Sequence, residues 1–231
     1  MDHSFQNHTL SRNEMVYGCR YLGFQLVFLS PLLASLSRML PVALSGAQIN
    51  FAYFFINFSA VCFIFRGYLQ EMARQLPSRF NRVMLVSAGG FALYCAAAFL
   101  LNRLTLALMP GFSSVNDQNI QALASENYFL MFLGTVIFAP ITEEVLYRGL
   151  LFKGLYAHNP RTAWLLSTVL FAGVHILSYI GSAPLPVLLL CFVQYIPAGL
   201  IFAGCYYFSG SLLSPILIHT AVNFAAMMAL R

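Results

Sequence analysis

Long apolar stretches alternate with short polar segments along almost the whole chain. Each stretch is close to the length of about 20 residues that a helix needs to cross a bilayer. The approximate bounds of the stretches are 17–36, 48–65, 83–108, 127–152, 162–180, 186–208 and 212–230. The pattern predicts an all-α, polytopic membrane helix bundle with about seven transmembrane helices, within a range of roughly six to eight.

The composition favours a membrane location. Apolar residues make up 60% of the 231 residues and charged residues only 8%, whereas an ordinary soluble domain carries roughly 25% charged residues. So few polar side chains cannot cover the surface of a soluble globule, and the low charge excludes a disordered chain. We therefore expect a single membrane domain over residues 1–231.

The distribution of basic residues predicts an orientation in the membrane. Alternate loops place one group of basic residues on one side: Arg12, Arg20, Arg66, Arg74, Arg79, Arg82, Lys153 and Arg161. The other side holds only Arg38, Arg103 and Arg231. The positive-inside rule then puts the N-terminus in the cytoplasm and the C-terminus outside. The densest cluster, 66–82, is read as a loop between two apolar stretches.

Several polar features carry no chemistry in this interpretation. Residues 1–16 lack the pattern of a cleaved signal peptide, so we expect the first helix to remain. The polar segment 110–126 predicts a short interfacial helix over 119–124. The cysteines have no metal-binding or disulfide spacing and are read as packing residues. Three histidines lie in polar segments and are read as surface residues: His3, His8 and His158.

Two adjacent acids stand out because they lie inside a predicted span. Glu143 and Glu144 belong to the sequence APITEEVLYRGLLF, which is too apolar for a free, solvated loop. An ionisable group at membrane depth costs several kcal/mol and marks a functional candidate. One helical turn separates Glu144 from Arg148, which predicts an ion pair and leaves Glu143 for acid–base chemistry. Pro140 is expected to kink the helix and widen the bundle, unless it is simply tolerated there.

Two histidines and an asparagine also lie in apolar stretches. His175 ends the sequence FAGVH, and the sequence HTAVN runs from His219 to Asn223. Helical spacing places the Phe171 ring against the His175 imidazole, and it places His219 and Asn223 on one face where they can converge. The alternatives are hydrogen-bonded core histidines and an interhelical hydrogen bond of Asn223.

These side chains suit the hydrolysis of an amide bond. A glutamate takes a proton from water while a histidine holds that water, and a second histidine with an asparagine donates to the oxyanion of the intermediate. The chain has neither a G-x-S-x-G elbow nor an H-E-x-x-H pair. A zinc ion held by Glu143, His175 and His219 stays open, since zinc accepts these ligands. A proton relay in a transporter also stays open.

The motifs EEVLYR, FAGVH and HTAVN, in this order, resemble the motifs EExxxR, FxxxH and HxxxN or HxxxB of the CPBP family. That family comprises the type II CAAX prenyl endopeptidases and bacteriocin-processing or immunity-related membrane proteins, also called Abi proteins. The resemblance covers about 136–223. It implies a catalytic core at about 127–231, and leaves 17–108 as a generic membrane scaffold.

The resemblance implies an intramembrane glutamate-type endopeptidase that processes a peptide or membrane-associated protein. By this likeness Glu143 is the general base, His175 positions the water, and His219 with Asn223 forms the oxyanion site. The supporting residues are Glu144, Arg148, Phe171 and Tyr147. Phe is common in the family at the position of Tyr147, and the tyrosine adds a hydroxyl that can form a hydrogen bond. No cofactor is required, with a divalent metal such as zinc left open.

The expected surroundings are a lipid bilayer, in a bacterial plasma membrane, and no nucleic acid. Two further functions stay open at this point. One is a non-catalytic protein of the same fold that gives self-immunity to a bacteriocin or binds a partner. The other is a proton-coupled transporter that uses the buried Glu and His residues.

Overall fold

The computed structural model describes residues 10–230, so the expectations for His3, His8 and Arg231 lie outside the described residues. Within that range the chain forms helices and no strand. The helices are α1 Arg12–Met39, α2 Gly46–Ile64, α3 Arg66–Leu108, α4 Val115–Glu126, α5 Tyr128–Tyr156, α6 Pro160–Leu177, α7 Leu185–Ser209 and α8 Leu213–Ala229.

Six of the helices between residues 10 and 230, α1 to α3 and α5 to α7, are long and apolar enough to cross a membrane. The last helix, α8, is apolar and 17 residues long. The prediction of an all-α polytopic bundle is confirmed, and the chain is a multi-pass integral membrane protein. The helix α4 contains the predicted segment 119–124 and begins earlier, where the Ser114 hydroxyl caps the Asp117 N–H.

The prediction of a loop over residues 66–82 is wrong. These residues form the first part of α3, which is 43 residues long and continues through Pro77. Most residues of this segment are good helix formers, such as Leu69, Glu71 and Met72, although they lack the apolar character of a span. The Arg79 guanidinium donates to the Gly210 carbonyl at 2.5 Å, which ties this polar extension to the end of α7.

Two of the membrane helices contain wide, π-helical turns just before a proline. In α5 the wide turn spans Leu133–Phe138 and precedes Pro140, and in α1 it spans Gln25–Leu29 and precedes Pro31. A proline has no N–H and clashes with the carbonyl four residues before it. The wider turn accommodates this, because the Ala139 N–H donates to the Gly134 carbonyl five residues back. The distortion expected at Pro140 therefore lies in the turn before it.

The helix α5 lies at the centre of the bundle. Its apolar window is 56% buried inside the protein, against 17–28% for the other five spans. Val145, Leu146 and Phe152 of α5 belong to the largest core cluster, together with Phe65 and Tyr206. The motif that carries the two adjacent acids is thus surrounded by other helices rather than by lipid.

Close packing of α6 against α7 depends on a small residue. A Cβ atom at Gly199 would lie 2.7 Å from Cγ2 and 3.0 Å from Cα of Thr168. Small residues allow such close approach of helices in membranes. The Gly199 carbonyl also faces the bundle interior and accepts a hydrogen bond there from Arg148.

The substitution Gly199→Ala is expected to push α6 and α7 apart and lower the free energy of unfolding by about 1–3 kcal/mol, the usual cost of overpacking. Gly173→Ala is the matched control on α6, because nothing lies within 4 Å of a Cβ atom there. Unfolding of both variants in detergent micelles measures the difference. Equal stability of the two variants would contradict this packing.

Candidate active site

The ion pair predicted between Glu144 and Arg148 is confirmed. Arg148 Nη1 lies 3.1 Å from Glu144 Oε1, and both side chains have no exposed surface. The second guanidinium nitrogen, Nη2, donates to the Gly199 carbonyl at 3.2 Å. The Arg148 guanidinium also lies over the Phe171 ring, 4.2 Å from its centroid. Groups on α5, α6 and α7 therefore all contact the buried Arg148 guanidinium.

His219 joins this pair from α8. Its Nδ1 atom lies 2.9 Å from Glu144 Oε1, and a carboxylate paired with an arginine can only accept a hydrogen bond. We therefore assign the proton to Nδ1. The other ring nitrogen, Nε2, faces Glu143. His219 Nε2 lies 4.0 Å from Glu143 Oε2.

His175 reaches the same acid from α6. Its Nδ1 atom lies 2.7 Å from the Phe171 carbonyl, which only accepts, so Nδ1 carries the proton in this ring as well. His175 Nε2 lies 3.8 Å from Glu143 Oε2. The expected packing of Phe171 on His175 is observed at 4.9 Å between ring centroids. Tyr195 stacks on the imidazole at 4.0 Å and fixes its plane.

Glu143 lies where these two imidazole rings converge. Its Oε2 atom is buried and has no hydrogen-bond partner among the described residues. A cavity of about 30 Å³ adjoins this carboxylate, and a cavity of that size takes about one or two water molecules. Its lining includes Gln25, Tyr53, Asn57, Thr142 and Tyr147. The half-buried Glu143 carboxylate thus lies beside two imidazole nitrogens and also borders a water-sized cavity, whose lining includes neither histidine.

Residues 125–225 match the family described as type II CAAX prenyl endopeptidase, Rce1-like. This segment is therefore similar to the CAAX proteases, as its three motifs predict. It contains all three motifs and therefore Glu143, His175 and His219. Comparison with curated proteins and with solved structures gives no match. The helices α1, α2 and α3 lie outside the CAAX protease segment.

Two further side chains near this site differ in their hydrogen bonding. The Asn223 side-chain amide donates to the Thr135 carbonyl of α5 at 2.9 Å. The interhelical hydrogen bond, which was the alternative for Asn223, is therefore present. The Tyr147 hydroxyl, which can form a hydrogen bond, is buried without one within residues 10–230. The Tyr147 ring packs edge-on against Phe171.

The metal alternative depends on Glu143, His175 and His219. Both Nε2 atoms have a lone pair facing Glu143, which is the chemistry of a metal ligand set. Within residues 10–230, however, no group of three or more His, Cys, Asp or Glu side chains has an arrangement that could hold a metal ion. The metal alternative is therefore left to the chelation experiment described below.

Sequence reasoning missed the polar residues that the scaffold helices bring to the site. Gln25 of α1 and Asn57 of α2 both line the cavity beside Glu143 and are 6% and 2% exposed. Both are amides inside apolar stretches, so the same criterion that found Asn223 could have found them. Tyr195, which stacks on His175, gave no signal, because a tyrosine in an apolar helix is common.

Removing one member of the buried ion pair is expected to destabilise the protein strongly. Arg148→Met leaves Glu144 charged, buried and without its arginine, at a cost of about 3–5 kcal/mol. The double variant Arg148→Met with Glu144→Gln is expected to recover part of this loss, because no unpaired charge is left buried. Denaturation of the purified variants in detergent measures both effects.

Arg74→Met is the matched control for that experiment. The pair of Arg74 with Glu71 is 3.9 Å long and exposed, so its loss is expected to leave stability nearly unchanged. A double variant that is no more stable than Arg148→Met alone would contradict the account of the buried charge.

Proposed function

We propose that this protein is an intramembrane endopeptidase that hydrolyses peptide bonds with a water molecule activated by Glu143. One observation carries this proposal: the Glu143 carboxylate lies 3.8 Å and 4.0 Å from two imidazole nitrogens and borders a water-sized cavity. The match of residues 125–225 to a protease family supports a peptidase in general. The mechanism and the residue roles that follow are part of the proposal.

The nucleophile is a water molecule between Glu143 and His175. The Glu143 carboxylate removes one proton from this water, while the lone pair on His175 Nε2 accepts a hydrogen bond from its other proton. The oxygen attacks the peptide carbonyl carbon and forms a tetrahedral intermediate with a negative oxygen. Glu143 then returns the proton to the amide nitrogen as the carbon–nitrogen bond breaks, which leaves a carboxylic acid and an amine.

His219 and Asn223 stabilise the negative oxygen in this proposal. Because Nδ1 of His219 already donates to Glu144, the ring must hold a second proton on Nε2 to donate to the oxyanion. Asn223 uses one amide hydrogen for the Thr135 carbonyl, and an amide nitrogen carries a second hydrogen that can reach substrate.

The substrate is a peptide or a membrane-associated protein. The described chain has no separate soluble domain, and Glu143 lies in a membrane helix, so the cleaved bond has to reach membrane depth. Bacteriocin or other peptide maturation in a bacterial plasma membrane is the specific process we propose. Protection from a bacteriocin that survives both Glu143→Ala and His175→Ala would instead identify the non-catalytic immunity protein.

Glu143→Gln is expected to lower kcat by about a thousandfold or more, since it removes the proton acceptor and keeps the shape of the side chain. The measurement is cleavage of a pool of synthetic peptides, together with a farnesylated CAAX peptide, by purified protein in nanodiscs, read by mass spectrometry. Glu126→Gln is the control, because Glu126 ends α4, lies outside the cavity beside Glu143 and keeps an acceptor oxygen for the Ala47 N–H. Unchanged cleavage by Glu143→Gln would overturn the proposal.

The same assay tests the cofactor expectation. Because no step of the proposed mechanism uses a metal, cleavage should continue after treatment with a strong chelator and should not rise on adding Zn²⁺. Loss of cleavage on chelation and its recovery with Zn²⁺ alone would replace the water mechanism with the metal alternative.

The orientation is a further part of the proposal. The charge asymmetry of the loops predicts a cytoplasmic N-terminus and an external C-terminus. Reporter fusions at the two ends, one active only in the cytoplasm and one active only outside, measure this directly. Both ends on the same side would contradict the predicted topology.

A further inference from the structure

The helix α1 lies outside the segment that matches the protease family, yet it reaches the site. Gln25 of α1 lines the cavity beside Glu143 and is 6% exposed. Its carboxamide makes no hydrogen bond to the described residues, and the hydroxyls of Thr142 and Tyr147 on the same cavity are also unpaired there. Buried polar groups are normally hydrogen-bonded. Three unpaired groups around one cavity therefore indicate a polar ligand.

The backbone of α1 also departs from a regular helix at this residue. The π-helical turn of α1 begins at Gln25. Such wide turns occur frequently at functional sites, and this one also accommodates Pro31.

A second and larger cavity lies along α1, about one turn before Gln25. It is an open groove of about 1100 Å³ whose lining includes the rings of Tyr17, Tyr21, Phe24 and Phe63. Charged side chains also line it, namely Glu14, Arg20, Arg66 and Glu71, so it offers both apolar and charged contacts to a ligand. Arg66 has no ion-pair partner within residues 10–230 and packs over the Phe63 ring.

One hydrogen-bonded pair of side chains, Tyr21 and Asn57, separates the two cavities. The Tyr21 hydroxyl, from the lining of the larger cavity, donates to Asn57 Oδ1 at 2.8 Å, and Asn57 lines the smaller cavity. Tyr21 and Gln25 are four residues apart on α1, so they lie on the same face of that helix. The two cavities are therefore neighbours along α1, and the smaller one borders Glu143.

We propose that α1 forms the substrate-binding side of the site. A peptide lies along α1 from the larger cavity, and the Gln25 carboxamide donates to the carbonyl of the peptide group next to Glu143. This inference rests on the proposed function. It assigns to Gln25 a donor role that Asn223 performs only in part, because one of its amide hydrogens is bonded to Thr135.

Gln25→Met keeps the length of the side chain and removes its donors. It is expected to lower kcat by about a hundredfold, the cost of losing one donor to a developing oxyanion, with KM changed by less than about threefold. Gln194→Met is the matched control, since Gln194 is a half-buried glutamine of α7 outside both cavities. Unfolding in detergent shows that both variants are folded.

The assay separates two failures. If the native protein cleaves no peptide, the proposed function fails. If the native protein cleaves, Glu143→Gln does not, and Gln25→Met cleaves within about twofold of the native rate, the role of α1 alone is overturned.

A second measurement does not depend on the folding of a Gln25 variant. In the Glu143→Gln protein, p-benzoylphenylalanine replaces Phe24, which lines the larger cavity, or Phe99, which is 66% exposed on α3. On illumination, the peptide cleaved fastest by the native protein should attach to position 24 and not to position 99. Attachment of phospholipid instead of peptide at position 24, or equal attachment at both positions, would overturn the inference.

Discussion

The buried ion pair of Glu144 and Arg148 connects four helices of the bundle. Both charges lie on α5 with no exposed surface, and their remaining hydrogen bonds come from other helices. Arg148 donates to a carbonyl of α7 and packs on a ring of α6, while Glu144 accepts from His219 of α8. Two charges in a low-dielectric interior depend on such partners, although Glu144 Oε2 and Arg148 Nε have none among the described residues. The pair therefore sets the mutual positions of α5 to α8.

The arrangement of the proposed catalytic groups follows from that constraint. Glu143 precedes Glu144, so it points about 100° away around the helix axis, out of the ion-pair network. Its carboxylate meets Nε2 of His175 and Nε2 of His219 because the Nδ1 atoms of both rings are already bonded elsewhere. Each ring is thus fixed both in position and in the nitrogen that it presents.

The sequence predicted those site residues that are polar groups within otherwise apolar stretches. Glu143, Glu144, Arg148, His175 and His219 are polar groups in apolar stretches, and in a membrane such groups have to meet one another. The partner of Asn223 could not be predicted, because an amide finds acceptors on any neighbouring backbone. Gln25 is also a polar residue in an apolar stretch, but its place beside Glu143 is visible only from the cavity that α2 and α5 form around it.

The membrane spans could also be predicted from the sequence, but other parts of the fold could not. Apolar length located the spans, because the bilayer thickness fixes how many residues must be apolar. The polar first part of α3 lies beyond any span, where helix formation depends on propensity and on contacts such as Arg79 with Gly210, and apolar periodicity gives no signal there. The wide turns before Pro31 and Pro140 depend on how neighbouring helices pack, which the local sequence does not encode.

The direct attack of water on the substrate is the central claim, and isotope labelling tests it most directly. One catalytic turnover is carried out in H₂¹⁸O with protein in excess over peptide, and both product and protein are then analysed by mass spectrometry. The account predicts one ¹⁸O atom in the new carboxyl group of the product and none in Glu143. The appearance of ¹⁸O in the Glu143 side chain would show a covalent glutamyl intermediate and contradict the account.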